Sequence, residues 1–179
     1  HSPSRRPRFV ASRCVAATCL RRSIRQWPQA VSSSETSAAA KTGIGLTHLP
    51  VLYTYGGAGQ MPLEAGQARF GNSVDRFNDL VARARDVVAH LPADCQVGIA
   101  PHSLRATSPD DLKAVLAAHT AGPVHIHIAE QPKEVADISA WLGARPVEWL
   151  LANADVTTNW CLIHATHMTA DETTKMAKS

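Results

Sequence analysis

The 179-residue chain is 45% hydrophobic and 18% charged, the composition of a globular protein able to bury one sizeable core. Its 18 Lys and Arg nearly balance 15 Asp and Glu, and a formal charge of +3 gives no chain-wide argument for nucleic acid. No apolar run reaches the roughly 20 residues that span a bilayer, and no compact apolar stretch follows a charged start as in a secretory signal, so neither a membrane partner nor secretion is expected.

The chain opens unevenly. No acidic residue precedes Glu35, whereas Arg5, Arg6, Arg8, Arg13, Arg21, Arg22 and Arg25 crowd a stretch rich in Ser, Pro and Cys. Pro3, Pro7 and Pro28 interrupt any periodicity, so little regular structure is expected over residues 1–34. Such a segment reads as a transit peptide, a nucleic-acid arm or, by preference, sequence outside the fold with the bias of a GC-rich gene in the wrong frame. Cys14 and Cys19 lack a matching second pair, which argues against a zinc–thiolate site. Two of the four cysteines fall in apolar runs that read as buried strands, and a reducing, intracellular compartment is expected.

From Ser37 short β-branched runs alternate with amphipathic stretches, the signature of a parallel α/β fold over residues 35–179. The first strand is expected at Ile44–Tyr53, followed by a glycine-rich loop at Gly56–Gly59. A helix over Val74–His90 carries Val74, Phe77, Val81, Ala84 and Val88 at helical spacing. The second strand, Gln96–Ala100, runs into Pro101-His102-Ser103-Leu104-Arg105. Ser108 then caps a helix with Pro109 at its first position and an end near Gly122. The third strand is Val124–Ala129, with helices after it from about Lys133 to Leu142 and over Pro146–Ala152, where Trp149 and Leu150 should face inward. The fourth is Trp160–His164, after which Thr169 opens a last helix.

Pattern alone suits a doubly wound sheet or half of a (β/α)8 barrel equally well. No G-x-G-x-x-G opens a helix after the first strand, so a dinucleotide site has poor support. Polar residues instead gather at the carboxyl ends of three strands: His102 with Arg105, His127 with Glu130, and His164 with His167. In a barrel those ends meet at one mouth. Alternation puts His125 and His127 on one face of the third strand. A single buried strand-end histidine is commonly a hydrogen-bonded core residue, but three strand ends bearing histidine make that reading strained. A hydrolytic metal site needs neutral imidazoles, a bound water acidified toward a pKa of ~7, and a carboxylate to shuttle its proton. His127-x-x-Glu130 supplies a ligand and a shuttle in one segment.

The blocks GIGLTHLPVLY, HSLRA, PVHIHIAEQPKEV, RPVEWL and WCLIHATH, in this order and spacing, resemble the middle of the formimidoylglutamate deiminases of the amidohydrolase superfamily, over about four fifths of the chain. The resemblance implies a partial (β/α)8 TIM barrel of about four βα units and a Zn2+ or another divalent transition metal. It makes His127 a metal ligand, Glu130 the acid/base, and His164 the imidazole that holds or polarises the activated water. It places His102 and Arg105 on the substrate, the arginine being able to grip a glutamyl carboxylate through two parallel hydrogen bonds. The implied reaction converts N-formimidoyl-L-glutamate to N-formyl-L-glutamate and ammonia, in histidine breakdown in the cytoplasm. His125 is read as supporting the ligand, and His167 as structural.

Two parts of the family's metal site are not visible: the H-x-H after the first barrel strand and the Asp after the last. A complete barrel takes ~250 residues and eight strands, so four units would leave open edges, favour aggregation or a homodimer, and give no useful activity alone. The competing readings are another amidohydrolase, such as a guanine, cytosine or triazine aminohydrolase, with no need of Arg105; a non-catalytic α/β binding module; and a nucleic-acid binder resting on the N-terminal arginines.

Overall fold

The computed structural model describes residues 27–179, and their side chains from residue 34. The cysteine pair at 14 and 19 and the arginines before residue 26 lie outside the described residues. Helix α1, Trp27–Thr42, begins inside the stretch whose pattern predicted little regular structure. Pro28 is its second residue, a position where a missing N–H breaks no helical bond, and Ala and Ser carry the rest without an amphipathic stripe. Thr36 and Ala39 are buried, and α1 packs against the next helix, α2, Val74–Val88. Helix α2 follows the expected spacing closely. Ser73 caps it by accepting the N–H of Arg76, and Phe77, Val81, Ala84 and Val88 form its buried face.

The expected ten-residue first strand is broken into β1, Thr47–His48, and β2, Val51–Leu52. Pro50 lies between them and has no N–H to give to a ladder. Ile44, expected in this strand, is 55% exposed. The second line is likewise broken into β3, Gln96–Val97, and β4, Ala100–Pro101. The hydrogen bonds nevertheless run on continuously: the N–H groups of Gly98, Ala100 and His102 donate to the carbonyls of His48, Pro50 and Leu52 at 2.9, 2.9 and 3.0 Å. Glycine is required at position 98, where a Cβ would lie 2.2 Å from the carbonyl oxygen of Pro123.

All pairings between the strand lines of the described residues are parallel, and each line lies beside its predecessor in the chain: β1 and β2 beside β3 and β4, these beside β5, Val124–Ile128, and β5 beside β6, Trp160–His164. No reversal of strand order occurs among the described residues. Between the second and third lines Ile99 pairs with Val124 and Ser103 with His127, so the second line carries one extra residue. This bulge sits at the carboxyl end of β4, next to His102, and bulges re-aim the side chains beside them.

Helices cover the apolar face. One core cluster joins Leu52, Val97, Ile99 and Val124 to Phe77 and Val81 of α2 and to Val115 of α3, Pro109–Ala118. A second joins Ile126 and Ile128 to Ile138 of α4, Pro132–Leu142, and to Val147 and Leu150 of α5, Pro146–Asn153. Leu150 is fully buried and Trp149 half-buried, in line with their expected inward placement. Helix α3 stops at Ala118 rather than near Gly122, because His119 leaves helical geometry and turns its ring onto Asn78 Oδ1 at 2.8 Å. The final helix is α6, Ala170–Met176. Strand β6 has one neighbour among the described residues, so Trp160 to Ile163, with Cys161 among them, are half-buried rather than enclosed. No helix among the described residues is long and apolar enough to cross a membrane.

Candidate active site

The second strand line ends in the turn that follows His102. The N–H groups of Ala106 and Thr107 both donate to the Ser103 carbonyl at 3.0 Å, and Leu104 plugs the core. The turn is thereby rigid, and His102 and Arg105 leave it toward β5. Burial pushes the His102 pKa down to about 4, with the neighbouring His127 and Arg105 adding to the effect and Glu130 opposing it. The imidazole is therefore neutral at pH 7. Its Nδ1 lies 3.1 Å from Ser103 Oγ, and the ring of Tyr53 meets it edge-on with centroids 4.6 Å apart.

On β5 the expected alternation holds: Ile126 and Ile128 are enclosed by the helices, and His127 points away from them. The carbonyl of His102 accepts both the backbone N–H of His127, at 2.9 Å, and its Nδ1–H, at 3.0 Å. A carbonyl can only accept, so the proton sits on Nδ1 and the lone pair of Nε2 is left free. The ring stacks on His102 at 4.8 Å and lies 5.5 Å from that of His164. His125, one step back along the strand, is buried, and burial holds its pKa below the ordinary value.

Glu130 is placed by a residue that the spacing argument did not single out. Past β5 the chain turns through Ala129 at φ 49°, and the carboxylate of Glu134, in the first turn of α4, accepts the N–H groups of Ala129 at 3.1 Å and Glu130 at 2.9 Å. Glu134 is 1% exposed. Pro132 starts the helix without needing a partner, and the helix N-terminus favours the buried charge. Glu130 is thus carried on a fixed loop. Its Oε2 accepts from Arg105 Nη2 at 3.0 Å, and Arg105 also lies 3.8 Å from Glu134 Oε2. The Arg105 hydrogen bond is the chief reason that the Glu130 carboxyl stays below its usual pKa, with His164 assisting and desolvation opposing. Glu130 is an ionised base at neutral pH.

His164 ends β6 at φ 70° and is followed by Ala165 at φ 50°. Two consecutive non-glycine residues in the left-handed region are uncommon and need external support. The N–H groups of Ala165 and His167 donate to the carbonyls of Ile128 and Ala129, each at 3.0 Å, which brings His164 Nε2 to 3.6 Å from Glu130 Oε1. His102, Arg105, His127, Glu130 and His164, drawn from three strand ends, therefore form one cluster. His167 contributes backbone only.

The donor types suit a divalent transition metal, and His127 has the fixed tautomer and free Nε2 that such a ligand needs. The number does not close a site: among the described residues no group of three or more His, Cys, Asp and Glu is placed to hold a metal ion. The open surface concavities beside Gln96 and beside Trp141 contain none of the cluster's residues. Glu134 could have been found from its position four residues after Glu130, but Gln131 at the cap lacks the Ser or Thr that signals a capping box.

Comparison with known proteins gives the cluster its context. The chain is 46% identical over 153 residues to a formimidoylglutamate deiminase of Pseudomonas aeruginosa, covering 85% of this chain and 33% of that protein. It is 33% identical over 103 residues to a 5-methylthioadenosine/S-adenosylhomocysteine deaminase of Nitratidesulfovibrio vulgaris, covering 56% of this chain and 23% of the relative. A crystal structure of an amidohydrolase from Brucella melitensis superposes with a TM-score of 0.76 at 50% identity, over 80% of this chain and 32% of that one. A zinc-bound adenosine deaminase from Xanthomonas campestris shares the fold at 19% identity and a TM-score of 0.63, over 83% of this chain and 31% of its own. The chain thus spans about a third of the length of the Pseudomonas aeruginosa deiminase and of the Brucella melitensis amidohydrolase, and less of the Nitratidesulfovibrio vulgaris relative. The amidohydrolase family model matches residues 7–179, and the chain belongs to the amidohydrolase family.

Proposed function

We propose that the chain is the central part of a hydrolase that converts N-formimidoyl-L-glutamate to N-formyl-L-glutamate and ammonia, a cytoplasmic step of histidine breakdown. The observation that carries this reading is the convergence of Arg105, Glu130 and His164 beside His127, together with the identity to a formimidoylglutamate deiminase. The sequential, all-parallel strand order supports a partial (β/α)8 barrel, with the cluster at its carboxyl mouth.

His127 would hold the metal through Nε2, the other ligands lying outside the described residues. A divalent transition metal, Zn2+ or a similar ion, supplies Lewis-acid activation of water when bound. Glu130, ionised and fixed by Glu134, takes a proton from the attacking water and returns it to the terminal nitrogen of the formimidoyl group. Its 3.6 Å approach to His164 lets that imidazole orient and polarise the same water. As water adds to the formimidoyl carbon, the bond to the terminal nitrogen breaks and ammonia leaves. Arg105 and neutral His102 would hold the glutamyl portion. The Arg105 side chain is 30% exposed beside Glu130, so its guanidinium is open to a substrate carboxylate.

The test is ammonia release from formimidoyl-L-glutamate by the full-length, zinc-loaded protein. Glu130→Ala is expected to abolish release, and Arg105→Ala mainly to raise KM. Release without metal, or an unimpaired Glu130→Ala variant, would sink the mechanism. Deamination of a flat heterocycle instead would leave Arg105 with no substrate carboxylate to bind and favour another amidohydrolase, of which the 5-methylthioadenosine/S-adenosylhomocysteine deaminase relative is an example. Under this reading the 179-residue chain is inactive alone, and metal-loaded chain that turned over substrate would contradict it.

A further inference from the structure

The RPVEWL block takes no part in the chemistry above, yet its arginine reaches the loop that carries His164. Arg145 stands at the start of α5 and does not cap its own helix. Its Nε lies 3.2 and 3.3 Å from the two carboxylate oxygens of Glu172, and its Nη2 donates to the carbonyl of His167. Glu172 is 3% exposed and, as the third residue of α6, also accepts the N–H of Thr169 at 2.7 Å, while its own N–H donates to Thr169 Oγ1. The far side of the loop, His167 to Thr169, is therefore tied to α5 and α6 through one guanidinium and one buried carboxylate.

The near side is the left-handed pair His164 and Ala165. Left-handed backbone is disfavoured for residues with a Cβ, and it persists only where the surroundings over-determine it. The ladder bonds from Ala165 and His167 to β5 hold the start of the turn. Nothing in that ladder restrains the His167 carbonyl, where Arg145 binds. Releasing it would let the turn relax toward ordinary backbone and swing the imidazole away from Glu130.

We infer that Arg145 is a positioning residue, which through Glu172 and the His167 carbonyl holds the His164–Ala165 turn in its strained form and so keeps His164 against Glu130. The inference rests on the reading of His164 as a catalytic residue. Lysine at 145 keeps the charge opposite Glu172, which favours folding, but a single ammonium lacks the planar fork needed to serve both partners.

The experiment compares wild type, Arg145→Lys and Arg145→Lys/Ala165→Gly in the full-length protein, by steady-state kinetics with formimidoyl-L-glutamate and by amide hydrogen exchange. Arg145→Lys is expected to lower kcat at least tenfold with KM within about twofold, since Arg105 and His102 are untouched. Exchange at Ala165 and His167 should rise about tenfold, with Ile126 and Ile128 in β5 unchanged. Glycine at 165 takes positive φ without penalty, so the double variant should recover most of the lost kcat. An unchanged kcat in Arg145→Lys, or a loss that the double variant does not recover, overturns the inference. So does faster exchange spread through β5, the mark of a merely structural role. If wild type releases no ammonia, the deiminase reading fails by itself, and the exchange pattern alone decides whether Arg145 holds the turn.

Discussion

Replacing Glu134 by glutamine keeps the shape of a side chain that is 1% exposed and removes its charge. The carboxylate accepts the N–H of Ala129 at 3.1 Å and of Glu130 at 2.9 Å, and faces Arg105 at 3.8 Å. Glutamine has one oxygen, so its amide NH2 must confront one of those two donors. An orphaned buried donor costs about 1–3 kcal/mol, and the lost charge at the first turn of α4 adds about 0.3–1 kcal/mol. The expected destabilisation is therefore roughly 1–4 kcal/mol, read as a lower urea midpoint at unchanged m. Glu130→Gln is the control. Glu130 makes a partly exposed ion pair with side-chain exposures of 30% on each side, a class worth about 0–1 kcal/mol. Activity should fall in both variants, but stability in one. Equal stability losses, or none at Glu134, would refute the assignment of Glu134 as the anchor of the loop.

Two further outcomes follow from the same geometry. Burial lowers the His102 pKa from 6.5 to about 4, so the unfolded chain binds the proton more readily than the folded one. Its contribution to stability is complete above about pH 6.5 and is lost as pH falls toward 4. Urea midpoints measured across that window should decline in wild type and decline less in His102→Asn; equal slopes would contradict the burial argument. Gly98→Ala would put a Cβ 2.2 Å from the Pro123 carbonyl oxygen and 2.8 Å from Leu49 Cδ2. Separating those strand lines should cost about 3 kcal/mol, the upper end for overpacking, and a thermal midpoint within a degree of wild type would show that the lines can part freely.

Much of the architecture was legible because it is local. The heptad-like spacing from Val74 to Val88, the Ser108-Pro109 helix start and the alternation in Val124–Ile128 each express an element's own periodicity, and the structure carries all three. The convergence of His102, Arg105, His127, Glu130 and His164 was legible for a related reason: side chains at the carboxyl ends of neighbouring parallel strands meet, so naming the strands names the cluster. Where local pattern misled, a single residue explains it. Pro50 broke an apolar run that looked continuous, His119 ended α3 early by turning onto Asn78, and Pro28 proved harmless in a first turn.

What composition and spacing determined, then, was the α/β class, the order of elements and the residue types available for hydrolytic chemistry. Tertiary structure decided the rest: the bulge that sets His102 beside His127, the left-handed turn under His164, and the ion pairs that fix both loops. Arg105 meets Glu130 across 25 residues, and Arg145 meets Glu172 across 27. No periodicity links positions so far apart. Their encounter depends on how strand lines register and helices pack, and those are properties of the assembled sheet rather than of any segment of the chain.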